Sequence, residues 1–213
     1  DGNIISYDAS GNPVAIATGN DGQVLTSAGA GAQPAFEDAS AGSRTLIGNH
    51  DFSSAATVTI TGMSSDYDLF EIMFSGLEYG SNGVTSPSMR IGDSSSIRSD
   101  SHYDIRSENG ETANSTFTMF NEVNATSWAL CASGVGPAAG ESFSGVIYLY
   151  DLANTDTDPL LTGHQTRRDS ASSRGGSIHG MYDSTTFAAD RIFIFGQNED
   201  LDGGKVAVWG ITL

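Results

Sequence analysis

Four histidines, His50, His102, His164 and His179, are the residues best suited to metal ligation or proton transfer, and they lie scattered along 213 residues. No His-Glu-x-x-His or Cys-x-x-Cys spacing accompanies them, so a zinc or iron centre is not expected. His164 and His179 sit inside alternating strand patterns and read as strand residues. Serine is abundant, yet no Gly-x-Ser-x-Gly elbow occurs and nothing singles out one serine as a nucleophile. The carboxylates that could work as a glycosidase pair are Asp156, Asp158, Glu199, Asp200 and Asp202. All five follow apolar runs in turn-forming sequence, which predicts polar loops. Asn198, Asp200, Asp202 and Gly203 partly match the opening of a calcium loop. Trp209 stands where the bidentate glutamate is needed, which leaves at most a weak surface calcium. Gly29-Ala30-Gly31 runs into Gln33-Pro34, which does not fit the helix start of a dinucleotide site. No catalytic, cofactor-binding or metal-binding residue is assigned, and the chain is expected not to be an enzyme.

The elements that must hold these residues are strands. Beyond residue 44, strand-length apolar runs bounded by Gly, Asn, Asp or Ser recur at 57–61, 67–74, 88–91, 103–106, 116–120, 127–132, 143–150, 160–164, 177–181, 191–195 and 205–213. In the second run Phe70, Ile72 and Phe74 share one face at period two, with Glu71 opposite, as in a half-buried strand. Residues 146–150, 192–195 and 206–209 are apolar on both faces and predict central strands covered on each side by a second sheet or a neighbouring subunit. Cys131, the single cysteine, lies in an apolar run and reads as a small buried hydrophobe. The expected fold over residues 44–213 is an antiparallel β-sandwich, jelly-roll-like.

Charge narrows the partners. Twenty-six Asp and Glu face nine Lys and Arg, giving a formal net charge of −17, and Lys205 is the single lysine. No basic stripe is present to neutralise phosphates or anionic lipid, so nucleic acid and membrane surfaces are not expected partners. No run of 18 apolar residues suggests membrane insertion. The chain starts without methionine and without a basic or apolar leader, and a processed product or part of a longer polypeptide is expected.

Residues 1–43 are rich in Gly, Ala, Asn and Asp, with apolar residues in short pairs. Too few apolar groups are present to offset the ordering entropy of such a segment, so it must lean on other protein surface. Ile4, Ile5, Val24, Leu25 and Phe36 are the expected subunit contacts. The run Gly2-Asn3-Ile4-Ile5-Ser6-Tyr7-Asp8, then 19–27 reading Gly-Asn-Asp-Gly-Gln-Val-Leu-Thr-Ser, with Gly29-Ala30-Gly31 and 34–37 behind, resembles a module of bacteriophage tail-fibre and related virion proteins. In that family the module is a short β element of a trimeric fibre. The resemblance implies a homotrimer located in the virion, attached to other tail or capsid proteins, with no cofactor. More loosely, residues 143–150 and 204–211 resemble the closing strands of the globular domains that end such fibres.

Two domains are thus expected: 1–43, an extended β segment for attachment and trimerisation, and 44–213, the sandwich. The resemblance implies a tail fibre or spike that attaches to a host surface glycan or receptor, with a head fibre or capsid decoration protein as the alternative. A glycan depolymerase would show strand repeats at a fixed period, and none is present. Loops keep recognition residues on a sheet scaffold, so the loops at 80–87, 92–101, 151–159 and 167–176 are the expected contact regions. Tyr79, Arg98, Tyr103, Arg167 and Arg168 are the expected receptor contacts, by stacking and hydrogen bonding.

Overall fold

The computed structural model describes residues 2–38, 43–53, 57–80, 86–112, 116–131, 135–138, 140–168, 172–184 and 187–213. No helix occurs among them, and every strand pairing is antiparallel. The chain divides into two compact units, Asp1–Gly42 and Ser43–Leu213.

The first unit holds two separate two-stranded sheets, β1 (Ile4–Tyr7) with β2 (Pro13–Ile16) and β3 (Gln23–Thr26) with β4 (Ala35–Asp38). The first turn closes because the Asp8 carboxylate accepts the backbone N–H groups of Ser10 at 2.8 Å and Asn12 at 2.9 Å. Gly11 supplies the positive φ of 82° that the same turn requires.

The second unit begins with β5 (Arg44–Asp51), β6 (Thr57–Thr61), β7 (Leu69–Tyr79) and β8 (Pro87–Gly92). It continues with β9 (Tyr103–Glu111), β10 (Thr116–Ala125), β11 (Trp128–Ala129) and β12 (Ser142–Tyr150). It ends with β13 (Leu160–Arg168), β14 (Ser173–Tyr182), β15 (Arg191–Gly196) and β16 (Leu201–Ile211). Eight of these form one sheet in the order β10-β9-β14-β13-β12-β7-β16-β5, and four form a second in the order β11-β8-β15-β6. Both sheets contribute to one core, in which Phe70, Ile72, Phe74, Ile147, Val206 and Val208 of the large sheet meet Met89, Ile91, Ile192 and Ile194 of the small one.

Trp128 ties the sheets together. It is fully buried, and its indole N–H donates to the backbone oxygens of Asp104 at 3.2 Å and Met181 at 3.1 Å, on β9 and β14. Tyr103 packs edge-on against it, accepts the Ile91 N–H at 3.1 Å and donates to the Arg98 carbonyl at 3.0 Å. Burial pushes the Tyr103 hydroxyl well above the ordinary tyrosine range.

In the runs that are apolar on both faces, one side meets the second sheet of the same chain. Their inner residues are buried, but Val146, Tyr148, Phe193 and Trp209 on the opposite faces are half-buried only, since one chain covers each sheet on one side. The exposed large apolar side chains of the strands in this unit, Leu46, Met73, Phe117, Met119, Val123 and Leu160, all belong to the large sheet. By strand alternation they fall on its outer face.

Because the core is complete within Ser43–Leu213, a chain starting at Ser43 is expected to fold alone. A cooperative thermal transition with a β-type circular dichroism spectrum checks this, and a non-cooperative melt would refute it.

Candidate ligand cleft

The large sheet has two distinct ends. Arg44 enters beside Ile211 and Leu69, at the end shared by the Tyr150–Leu160 and Met181–Leu160 pairs. At the opposite end lie the turns β9–β10 and β13–β14. The two ends are separated by about 30 Å of strand, at roughly 3.3 Å per residue over nine residues.

At the far end the side chains of the outer face become small. Ser144 lies across from Thr166, Thr166 from Gly175, Gly175 from Gly110, and Gly110 from Phe117, one continuous row over five strands. The next row holds Ser142, Arg168 and Ser173. Apart from Phe117, which stands beside it, these residues line an open cleft of about 350 Å³ together with Thr112, Arg167 and Arg174.

Phe117 is 66% exposed at one limit of the row. The Arg168 side chain is exposed, lies over Gly140, and makes no hydrogen bond or ion pair among the described residues. Other basic side chains are engaged: Arg44 with Glu71 at 2.9 Å, Arg98 with Asp93 at 3.6 Å, Arg106 with Glu108 at 3.5 Å, Lys205 with Asp51 at 3.0 Å.

Beneath the cleft the interior is polar. Gln165 donates to Asn109, Asn109 donates to Ser107 at 3.0 Å, Arg167 of β13 is buried, and Glu141, just before β12, is buried as well. Gln165 pairs with Gly145 on one side and Gly176 on the other, so two strands without side chains at that level leave space for an amide. Glu111 accepts from Arg174 at 2.8 Å and from Ser172 at 2.8 Å.

The Arg174 and Ser172 hydrogen bonds hold the Glu111 carboxyl below its usual value of 4.5. A lowered folded-state value means that this contribution to stability is present above 4.5 and is lost as pH falls through the lowered value. Glu111→Gln is therefore expected to flatten the acid limb of the melting-temperature profile, read by thermal melts across acid pH. An unchanged acid limb would refute it.

The five expected receptor contacts do not converge. Tyr79 and Tyr103 are corrected outright: at 1% and 0% exposure they are core residues with no surface to offer. Arg98 lies toward the chain-entry end, with its guanidinium 4.1 Å from the centre of the Phe187 ring. Arg167 points inward and is buried. Only Arg168 is exposed in the cleft. Of the segment 167–176, read from sequence as a loop, 167–168 end β13 and 173–176 begin β14, while 169–171 lie outside the described residues. Of the other expected loops, residues 81–85 lie outside the described residues, and 92–101 and 151–159 lie at the chain-entry end. Asp202 sits inside β16 rather than in a loop. In the first unit Ile4, Ile5, Val24 and Leu25 are exposed, while Phe36 is half-buried over Gly19.

Among the described residues no group of three or more His, Cys, Asp or Glu is arranged to hold a metal, and no helix is long and apolar enough to cross a membrane. No protein-family model, curated protein or solved structure matches the chain.

Proposed function

We propose that the chain is a virion fibre component, a tail-fibre or spike segment that trimerises through its first unit and presents the Ser43–Leu213 unit as an adhesive, non-catalytic, jelly-roll-like module. The observation that carries this reading is the coreless first unit. Ile16 is its single buried hydrophobic residue among those described, and Ile5 is 71% exposed. Two-stranded sheets of this kind are marginal alone and gain stability when identical copies cover their apolar residues. The fibre-like sequence of the same residues supports the same assignment.

Light scattering on the intact protein is expected to give three times the 22.2 kDa chain mass. A folded monomer would overturn trimerisation. Gold-labelled antibody on purified particles should mark the tail fibres, and labelling of the capsid lattice would move the protein to the head.

A further inference from the structure

We propose that the outer-face cleft binds an acidic saccharide, several sugar units long, with Arg168 reading the anionic group and Phe117 stacking against a sugar face. This rests on the adhesive reading above and names its ligand class.

Three observations carry it. The first is Gly110. A side chain there would meet only the Gly175 carbonyl at 3.8 Å, and the residue has no positive φ, so neither packing nor backbone conformation calls for glycine. Glycine inside a strand weakens it, and its presence marks a place where something else approaches the backbone closely. The second is Arg168, which has no polar partner among the described residues. A free guanidinium presents the planar fork that fits a carboxylate or sulfate.

The third is the row itself. Phe117 and Thr166 stand three strand spacings apart, about 14 Å, which suits an oligosaccharide rather than a single sugar. Between them lies a floor of glycine, and beyond Thr166 comes the Ser144 hydroxyl. Aromatic edge, open floor and hydroxyls along one row, with the Arg168 cation in the row beside it, match the apolar faces, hydroxyls and acid groups of such a chain. Of the net charge of −17, exposed groups beyond roughly 8 Å are screened at physiological ionic strength, and the nearby Glu111 is paired with Arg174 at 2.8 Å.

The test is calorimetric titration of the full-length protein with three probes: a hexasaccharide of uronic acids, the neutral hexasaccharide made by reducing its carboxylates, and a sulfated hexasaccharide. At least one acidic probe is expected to bind, with the neutral probe weaker by about tenfold or more, the loss typical of a charged hydrogen bond. Arg168→Gln should bring acidic-probe affinity down to the neutral level. Gly110→Val should abolish binding while leaving the melting temperature unchanged or raised, since its methyl groups fill the cleft and not the core. Arg98→Gln, at the other end of the sheet, should bind like the parent.

Preference between the carboxylate and sulfate probes identifies the anion and supports the cleft in either case. The proposal is overturned if neither acidic probe binds, if the neutral probe binds equally well, or if Arg168→Gln and Gly110→Val both bind normally. Adsorption to host envelope fragments separates the two readings. If adsorption survives both cleft variants, the adhesive role stands and the cleft falls; if the parent protein does not adsorb at all, the adhesive reading fails as well.

Discussion

Trp128→Ala is expected to destabilise the Ser43–Leu213 unit by about 3–5 kcal/mol, the cost typical of deleting a large buried aromatic. The indole fills the space between β11 and the β9–β14 pair, so its loss opens a cavity against Tyr103, 5.1 Å away between ring centroids. It also strips the Asp104 and Met181 carbonyls of their donor. Trp128→Phe separates the two effects, because it keeps most of the volume and loses both hydrogen bonds, at about 1–3 kcal/mol for groups left without a partner. Urea unfolding followed by fluorescence and circular dichroism reads both variants. A shift of less than about 1 kcal/mol for the alanine variant would show that the sheets do not depend on this bridge.

Gly176→Ala is expected to be the most damaging of the small substitutions. A methyl group at this position would occupy the space of the Glu108 backbone carbonyl on β9, and neither strand is free to move because both are paired on their other sides. Overpacking of this kind costs typically about 1–3 kcal/mol and occasionally more, and here the obstacle is backbone rather than a flexible side chain. The variant is expected to lose its cooperative melt or to show a melting temperature lower by about 5–10 °C, scaling from the usual shift per kcal/mol. A melt like that of the parent would mean that β9 and β14 can separate freely at this level. Gly110, one strand away and facing the other side, is expected to tolerate the larger valine, so the two glycines make a matched comparison.

The strand-rich, helix-free character of the second unit was legible because alternation is a local property. The run 57–61 coincides with β6, and Phe70, Ile72 and Phe74 do face the core as their spacing predicts. Strands β7, β9, β10, β13, β14 and β16 extend beyond the apolar runs that mark them in sequence, and β9 and β13 were cut at a polar end that holds buried residues. Ser107, Asn109, Gln165 and Arg167 look like loop residues in sequence, yet they are buried strand residues because they satisfy one another across the ladder or pack at the polar end of the core. Strand β5 was missed because its alternation is weak, with Ile47 alone packing toward the core.

The cleft was illegible for a different reason. Its row joins residues 110, 117, 144, 166 and 175, and only strand register, set by contacts distant in sequence, places them side by side. The signal that could have pointed to it is glycine within the polar stretches 107–111 and 173–177, where turns were the simpler reading. Tyr79 and Tyr103 were chosen as contacts for their amphipathic rings, but the same property suits them to a core in which the hydroxyl finds a backbone partner, as that of Tyr103 does.

The entry of the chain at one end of the large sheet, with the cleft at the other, has a mechanical consequence. A pull between residue 44 and a ligand at the proposed site near Arg168 would run diagonally across the sheet with its larger component along the strands, so the ladders would be loaded mainly in shear. β5 can leave β16 only by sliding past it, which strains the pairs from Arg44–Ile211 to Asp51–Lys205 together rather than opening them one after another. Resistance to such a load follows the unfolding rate and not the equilibrium stability. A module anchored in this way keeps its grip best under tension directed along its own length, and is weakest against a force that peels β5 sideways from the edge of the sheet.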